Sequence, residues 1–81
     1  MARHVLGWVD VALDQYLALP LEQQHLIDAR IGQLLDDPAG SGSSYDPDTD
    51  WWTTTDHFGA GLIVYVFRPD RPRLVILRLV Y

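Results

Sequence analysis

The sequence contains no cysteine and no lysine. The lack of cysteine excludes disulfide scaffolds, zinc ribbons and thiol catalysis, and it is typical of proteins in a reducing compartment. No apolar run is long enough to cross a bilayer, since the longest, residues 59–67, has about half of the roughly 20 residues that a transmembrane helix needs. Asp10 and Asp14 interrupt the N-terminal segment early, unlike in a secretory signal peptide. We therefore expect a cytoplasmic protein without a membrane partner.

Positive charge is scarce. The sequence has ten Asp and one Glu but only six Arg, so the formal net charge is -5. A domain that binds nucleic acid mainly by neutralising phosphates usually carries net positive charge. The composition therefore argues against a general nucleic-acid-binding role, although a local basic patch can still act on an acidic body.

What the sequence does contain is apolar and aromatic side chains. The 81 residues are 48% hydrophobic and include three Trp, four Tyr and two Phe. This is enough for one hydrophobic core without a disulfide or a structural metal, and too short a chain for two cores. We predict a single domain over residues 1–81 and no cofactor.

The first half of the chain predicts a strand and two helices. Residues 4–9 are typical of a short strand, and Asp10 is predicted to cap the helix that follows. Pro20 suits the first turn of a second helix, which Pro38 ends. Apolar residues recur with a 3.6-residue period in both helices. In the second helix this stripe contains Leu26, Ile27, Ile31, Leu34 and Leu35.

The second half predicts a loop followed by three strands. Residues 36–50, DDPAGSGSSYDPDTD, have no periodic apolar pattern and are predicted to form a long exposed loop. From Trp51 onward the apolar period is two, which predicts strands near residues 51–56, 62–67 and 74–81. The predicted fold class is α+β, with the order β-α-α-β-β-β and an α-hairpin packed on an antiparallel sheet.

The predicted sheet is apolar on both faces. Strict alternation would place Leu74, Ile76, Arg78 and Val80 on one side of the last strand. A sheet with helices on one side normally keeps its other face polar, so we expect a partner, a second copy or the long loop to cover the far face. Trp51 and Trp52 point to opposite sides, one toward the core and one toward a partner. The predicted partner-binding residues are Leu74, Ile76, Val80 and Trp52.

Three of the six arginines lie in the segment FRPDRPR, residues 67–73. Its two prolines and its aspartate are typical of a β-turn, so one interpretation is a charged hairpin tip that keeps the edge soluble. The other is a phosphate or carboxylate contact by Arg68, Arg71 and Arg73. Arg78 lies about 17 Å from Arg73 along an extended strand, so it belongs to a different place.

The acidic and histidine motifs do not predict a metal site. Residues 46–50 reproduce the D-x-D-x-D opening of a calcium loop, but Trp51 replaces the glycine of the turn and His57 replaces the closing glutamate. The three histidines have no metal-ligand spacing. His57, beside Asp56 at a strand end, is the one histidine that is a candidate acid or base.

The arrangement of these motifs resembles the RelE/ParE superfamily of toxins from type II toxin-antitoxin systems. The resemblance covers nearly the whole chain and is most specific at the Leu19-Pro20 corner, at LLDDP and at the strand containing IVY. It implies a bacterial cytoplasmic toxin that a cognate antitoxin covers and neutralises. The implied target is ribosome-bound mRNA in the RelE branch and DNA gyrase in the ParE branch.

The sequence departs from the mRNA-cleaving branch at two places. That branch commonly has a basic residue where this chain has Leu62, and it tends to place a catalytic His, Arg or Tyr near the C-terminus, where Tyr81 alone matches in type. The candidate catalytic residues are Arg78, Tyr81 and His57. Three hypotheses follow: a toxin homologue that acts by binding, a ribosome-dependent RNase that uses the arginines and Tyr81, and a non-toxin module that dimerises through its sheet.

Overall fold

The computed structural model describes residues 5–40, 42–55, 61–68 and 70–80, with the backbone alone at positions 68, 71 and 72. Two helices pack on one side of a sheet, which confirms the α+β class and the helical hairpin. None of the helices in these ranges is long and apolar enough to cross a membrane. The elements in chain order are β1 (Val5–Trp8), α1 (Asp10–Leu17), α2 (Leu21–Asp36), β2 (Ser43–Asp46), β3 (Trp51–Thr55), β4 (Leu62–Arg68) and β5 (Arg71–Val80).

The start of each helix differs by one residue from the prediction. Val9 occupies the N-cap position of α1, and no described side chain caps the first turn, so the prediction that Asp10 is the cap is wrong. Asp10 instead lies in the first turn, where its negative charge favours the positive end of the helix dipole. Pro20 takes the N-cap position of α2, and the side chain of Gln24 donates to the Leu19 carbonyl at 3.0 Å. This hydrogen bond holds the corner between the helices.

The sheet has five strands in the order β1-β5-β4-β3-β2. β1 pairs in parallel with β5, and every other pairing is antiparallel. The sheet is therefore mostly antiparallel, as predicted, with one parallel pair at the β1 edge. The helical hairpin carries the chain from the β1 edge to the β2 edge, so the first two strands of the sequence lie farthest apart.

The strand β2 lies inside the segment that was predicted to be a structureless loop. Ser43 pairs with Thr54, and Asp46 pairs with Trp51. The rings of Tyr45 and Trp52 pack with centroids 5.1 Å apart. The loop prediction is wrong here, because the hydrogen bonds and ring contact that stabilise this polar strand come from β3 rather than from its own sequence.

β5 starts earlier than predicted and changes its alternation at a bulge. It begins at Arg71 and includes Pro72, inside the segment that was assigned to the turn. The register shifts where Val64 pairs with Arg78 and Tyr65 pairs with Ile76, which leaves Leu77 between the two pairs. Such an extra residue moves the following side chains to the other face. The predicted common face of Leu74, Ile76, Arg78 and Val80 is therefore wrong beyond the bulge.

The core lies between the helices and one face of the sheet. Its polar member, Thr54, is 1% exposed and accepts hydrogen bonds from Arg30 Nε at 3.2 Å and Nη2 at 2.6 Å. Arg30 Nε also donates to the Thr55 carbonyl, and Thr54 donates to the Gly42 carbonyl at 3.1 Å. Arg30 thus joins α2 to β3 and to the segment before β2. The buried apolar residues are Ala12, Ile27, Ile31, Leu34, Ile63, Tyr65, Leu74, Ile76 and Leu79.

Candidate functional site

The face of the sheet opposite the helices, called the open face here, is the main candidate surface. The strand register places on it the side chains that alternate with the buried ones. Apolar side chains remain accessible there, with Trp51 at 45%, Val80 at 44% and Leu62 at 40% of their surface exposed. On the three central strands the open face consists of Trp51, Thr53, Thr55, Leu62, Val64, Val66, Arg73, Val75, Arg78 and Val80.

A cavity of about 340 Å³ lies at one end of the open face. Arg73 reaches it from β5, opposite Val5 of the edge strand. The guanidinium group lies close to Gly7, since a Cβ there would be in contact with Arg73 Nε and Nη2 at 3.4 Å. The guanidinium group therefore lies across the backbone of β1. The cavity is lined by Thr49, Asp50, Trp51, Val66, Phe67, Arg73 and Val75.

The acidic turn between β2 and β3 forms the other wall of this cavity. Asp50 has a φ of 62°, in the left-handed region that Asp tolerates better than most residues. The Tyr45 hydroxyl donates to Asp50 Oδ1 at 2.6 Å, and this hydrogen bond is the main reason why the pKa of Tyr45 is raised. The Asp48 amide donates to Asp46 Oδ1 at 2.9 Å. The cavity therefore combines an exposed cation with a carboxylate, a pairing suited to polar peptide groups.

The structure separates the predicted arginines. Arg73 lies at the cavity, whereas Arg78 lies at a shallow pocket beside Gln15, whose Oε1 accepts the Leu79 amide at 2.9 Å. Both arginines are on the open face, but no described pocket contains both. Arg68 and Arg71 pair across the β4–β5 hairpin in the backbone register.

Two of the predicted catalytic residues, His57 and Tyr81, lie outside the described residues. No group of three or more His, Asp or Glu side chains within the described ranges is arranged to hold a metal ion.

The four predicted partner-binding residues occupy three different environments. Leu74 and Ile76 are fully buried beneath the helices and present no surface in this conformation. Trp52 is half-buried and packs on Phe67, with ring centroids 5.1 Å apart. Val80 is exposed on the open face. The sequence analysis did not name Val66 and Val75 as surface residues. The period-two alternation of β4 and β5 could have identified them, because both alternate with buried residues.

No protein-family profile matches the chain, and no curated protein matches it in sequence. Two solved structures match its fold. A chain of the intact E. coli RelBE toxin-antitoxin complex superposes with a TM-score of 0.82 at 12% sequence identity, covering 95% of this chain and 94% of that chain. The isolated E. coli RelE toxin superposes with a TM-score of 0.81 at 12% identity, covering 95% of this chain and 82% of that chain. The α-hairpin on a five-stranded sheet is therefore a RelE-like fold, as the sequence resemblance implied.

Proposed function

We propose that this chain is the toxin-type component of a toxin-antitoxin pair and that it acts by binding protein partners through its open face. The observation that carries the proposal is the fold, which matches the RelE toxin over 95% of the chain. The apolar side chains that the sheet leaves exposed opposite its helices support it further, because such a surface is typical of an interaction site.

The charges of the open face indicate the chemistry of the partner. Arg73 and Arg78 stand at opposite ends of β5, among open-face side chains of β3, β4 and β5 that are otherwise apolar or hydroxyl-bearing. An antitoxin segment with apolar side chains between two acidic residues would cover this face and neutralise both arginines. The cytoplasmic location and bacterial source expected from the resemblance belong to the same proposal.

The cavity is poorly suited to phosphodiester cleavage. Such a reaction needs preorganised cations around the phosphate, because charge accumulates on its oxygens in the transition state. Of the described residues at the cavity, Arg73 supplies a positive charge, and Asp50 supplies a negative charge that repels a phosphate. We therefore favour a toxin that acts by binding.

Co-expression tests the proposal. The chain is induced in bacteria with and without the product of the open reading frame next to its gene. We expect growth arrest, relief by the neighbouring protein, and co-purification of the two proteins. Val75→Glu places a charge in the middle of the open face and should abolish co-purification, whereas Val11→Glu, at an exposed position of α1 on the other side of the sheet, should preserve it. The proposal fails if the neighbouring protein neither binds the chain nor changes growth.

Messenger RNA cleavage is the second candidate, because Arg73 and Arg78 share one face of the sheet. Mapping of mRNA 5′ ends after induction separates the two functions. New ends that vanish in the Arg73→Ala, Arg78→Ala double variant would establish cleavage and overturn action by binding alone. Growth arrest without new ends supports the first proposal.

Two further assays identify the target and the assembly state. Inhibition of translation in a cell-free extract would indicate the ribosome, and loss of supercoiling activity would indicate DNA gyrase. Sedimentation of the purified chain tests the third hypothesis, a dimeric module outside any toxin system. A stable dimer through the open face without growth arrest would favour that module.

A further inference from the structure

The outer edge of β1 has none of the usual features that keep an edge strand unpaired. Natural edge strands commonly carry charged residues, proline or a bulge, which discourage pairing with another chain. The opposite edge, β2, reads SSYD and is polar with a charge. β1 reads VLGW, has no charge and no proline, and pairs with no second strand among the described residues.

A groove of about 420 Å³ lies directly beside this edge, between the two helices and β1. Leu6 and Trp8 point into it. Val9 donates its amide to the Ile76 carbonyl at 3.1 Å. Because amide direction alternates along a strand, the amides of Leu6 and Trp8 point away from β5, toward the outer edge. The residues that line the groove therefore also present backbone groups to an added strand.

Gly32 keeps one wall of the groove open. It lies inside α2, where glycine is unfavourable compared with alanine. A Cβ at this position would meet nothing within 4 Å, so the packing of the chain does not require glycine there. The missing side chain leaves space in the groove opposite Leu13, which is 38% exposed.

The charge around the groove favours a cationic occupant. Tyr16 on α1 donates to Asp28 Oδ1 on α2 at 2.6 Å, so a carboxylate lies in the groove wall. The two helices carry five acidic residues and one arginine, Arg30, whose side chain is hydrogen-bonded to β3. A second copy of this chain would bring the same negative charge to the groove, which disfavours self-association there.

We propose that the β1 edge and this groove bind an extended segment of a partner protein as an added strand. The segment carries apolar side chains at its groove-facing positions, together with one Lys or Arg that pairs with Asp28. Backbone hydrogen bonds to Leu6 and Trp8 provide affinity, and the alternate side chains provide selectivity. The site is separate from the open face, so it does not depend on the toxin proposal.

Fluorescence anisotropy with the full chain and a labelled eight-residue peptide, TVTKTVTV, tests the proposal. Its second, fourth, sixth and eighth side chains share one face. We expect saturable binding and at least about tenfold weaker binding of the matched peptide TVTETVTV, because its glutamate meets Asp28. A peptide N-methylated at alternate amides should also bind at least about tenfold more weakly, since it lacks donors for the edge.

Two variants test the groove in the protein. Gly32→Leu fills the groove and removes a helix-interior glycine, so it should keep or raise the melting temperature while weakening peptide binding at least about tenfold. Asp28→Asn should remove most of the preference for Lys over Glu in the peptide. The matched control is Asp48→Asn in the β2–β3 turn, which changes the net charge equally and should leave the preference intact.

Three results would overturn the proposal. Equal affinity for the N-methylated peptide excludes strand addition. Equal affinity for the Lys and Glu peptides excludes the role of Asp28. Sedimentation as a dimer that Gly32→Leu dissociates identifies a second copy as the occupant.

Discussion

The covered and open faces of the sheet carry similar apolar side chains but differ in what lies against them. On β5 the neighbours Ile76 and Val75 illustrate the difference. Ile76 is fully buried under the helices, and Val75 is half-buried at the edge of a cavity. The helices complete the packing of one face, whereas nothing in the described chain completes the packing of the other.

The polar groups of the two faces also differ in what lies against them. On the covered face the Tyr65 hydroxyl donates to the Pro38 carbonyl and lies 2.9 Å from the Ser43 hydroxyl. None of the buried side-chain polar atoms in the described residues lacks a partner. The open face instead presents Arg73 and Arg78 to solvent. Apolar composition alone therefore does not identify the core. The two faces differ more clearly in whether their polar groups are hydrogen-bonded within the chain or exposed to solvent.

The largest expected effect comes from truncating the two neighbours on β5. Ile76→Ala removes fully buried methylene and methyl groups and should lower the free energy of unfolding by about 2 to 5 kcal/mol. Val75→Ala should cost roughly 1 kcal/mol or less, because the side chain is half in water. Urea unfolding followed by tryptophan fluorescence measures both. Equal losses would mean that the open face is packed as tightly as the covered one.

The second comparison is between the contributions of Arg30 and Arg78 to the free energy of unfolding. Arg30→Met should lower the free energy of unfolding by about 1 to 3 kcal/mol, because buried Thr54 loses its donors from α2. Arg78→Met on the open face should change it by no more than about 0.5 kcal/mol. Thermal unfolding of the two variants against the parent chain gives the difference. A larger loss for Arg78 would contradict the assignment of Arg30 as the structural arginine.

A smaller effect is expected from Tyr65→Phe. The change keeps the ring but leaves the Pro38 carbonyl without its donor, which should cost about 1 kcal/mol. Burial is the main reason why the pKa of Tyr65 is raised, so its phenol should resist ionisation in alkali. Tyr45→Phe, at an exposed hydroxyl, is the matched control and should be nearly neutral in urea unfolding.

The smallest expected effect is the pH dependence of the hydrogen bond between Tyr16 on α1 and Asp28 on α2. The hydrogen bond to Asp28, with a smaller contribution from burial, raises the pKa of Tyr16 from 10.0 to about 12. Because the folded state holds this proton more tightly, its stabilising contribution is complete below pH 10 and is lost as the pH rises through 12. An NMR titration of the Tyr16 ring measures the pKa. In Asp28→Asn it should fall toward 10, and an unchanged value would refute the coupling.

The helices were predictable because their signals are local. The 3.6-residue stripe identified Ile27, Ile31 and Leu34, and the structure buries all three. The prolines around α2 located its ends within one or two residues. The strand β2 was missed because a short polar strand forms only when β3 lies beside it. The candidate surface was predicted only in part, since strict alternation assigned Leu74 and Ile76 to the partner face and the bulge at Leu77 has no obvious sequence signal.

The sequence by itself determined the α+β class, because the apolar period changes from 3.6 to two near Trp51 and each period specifies one kind of element. Tertiary structure alone decided which face of the sheet became the core, which edge remained open and where Arg73 lies. These features depend on contacts between residues far apart in the chain, such as Gly7 with Arg73 and Arg30 with Thr54. A pattern within one segment carries no information about its neighbours in space.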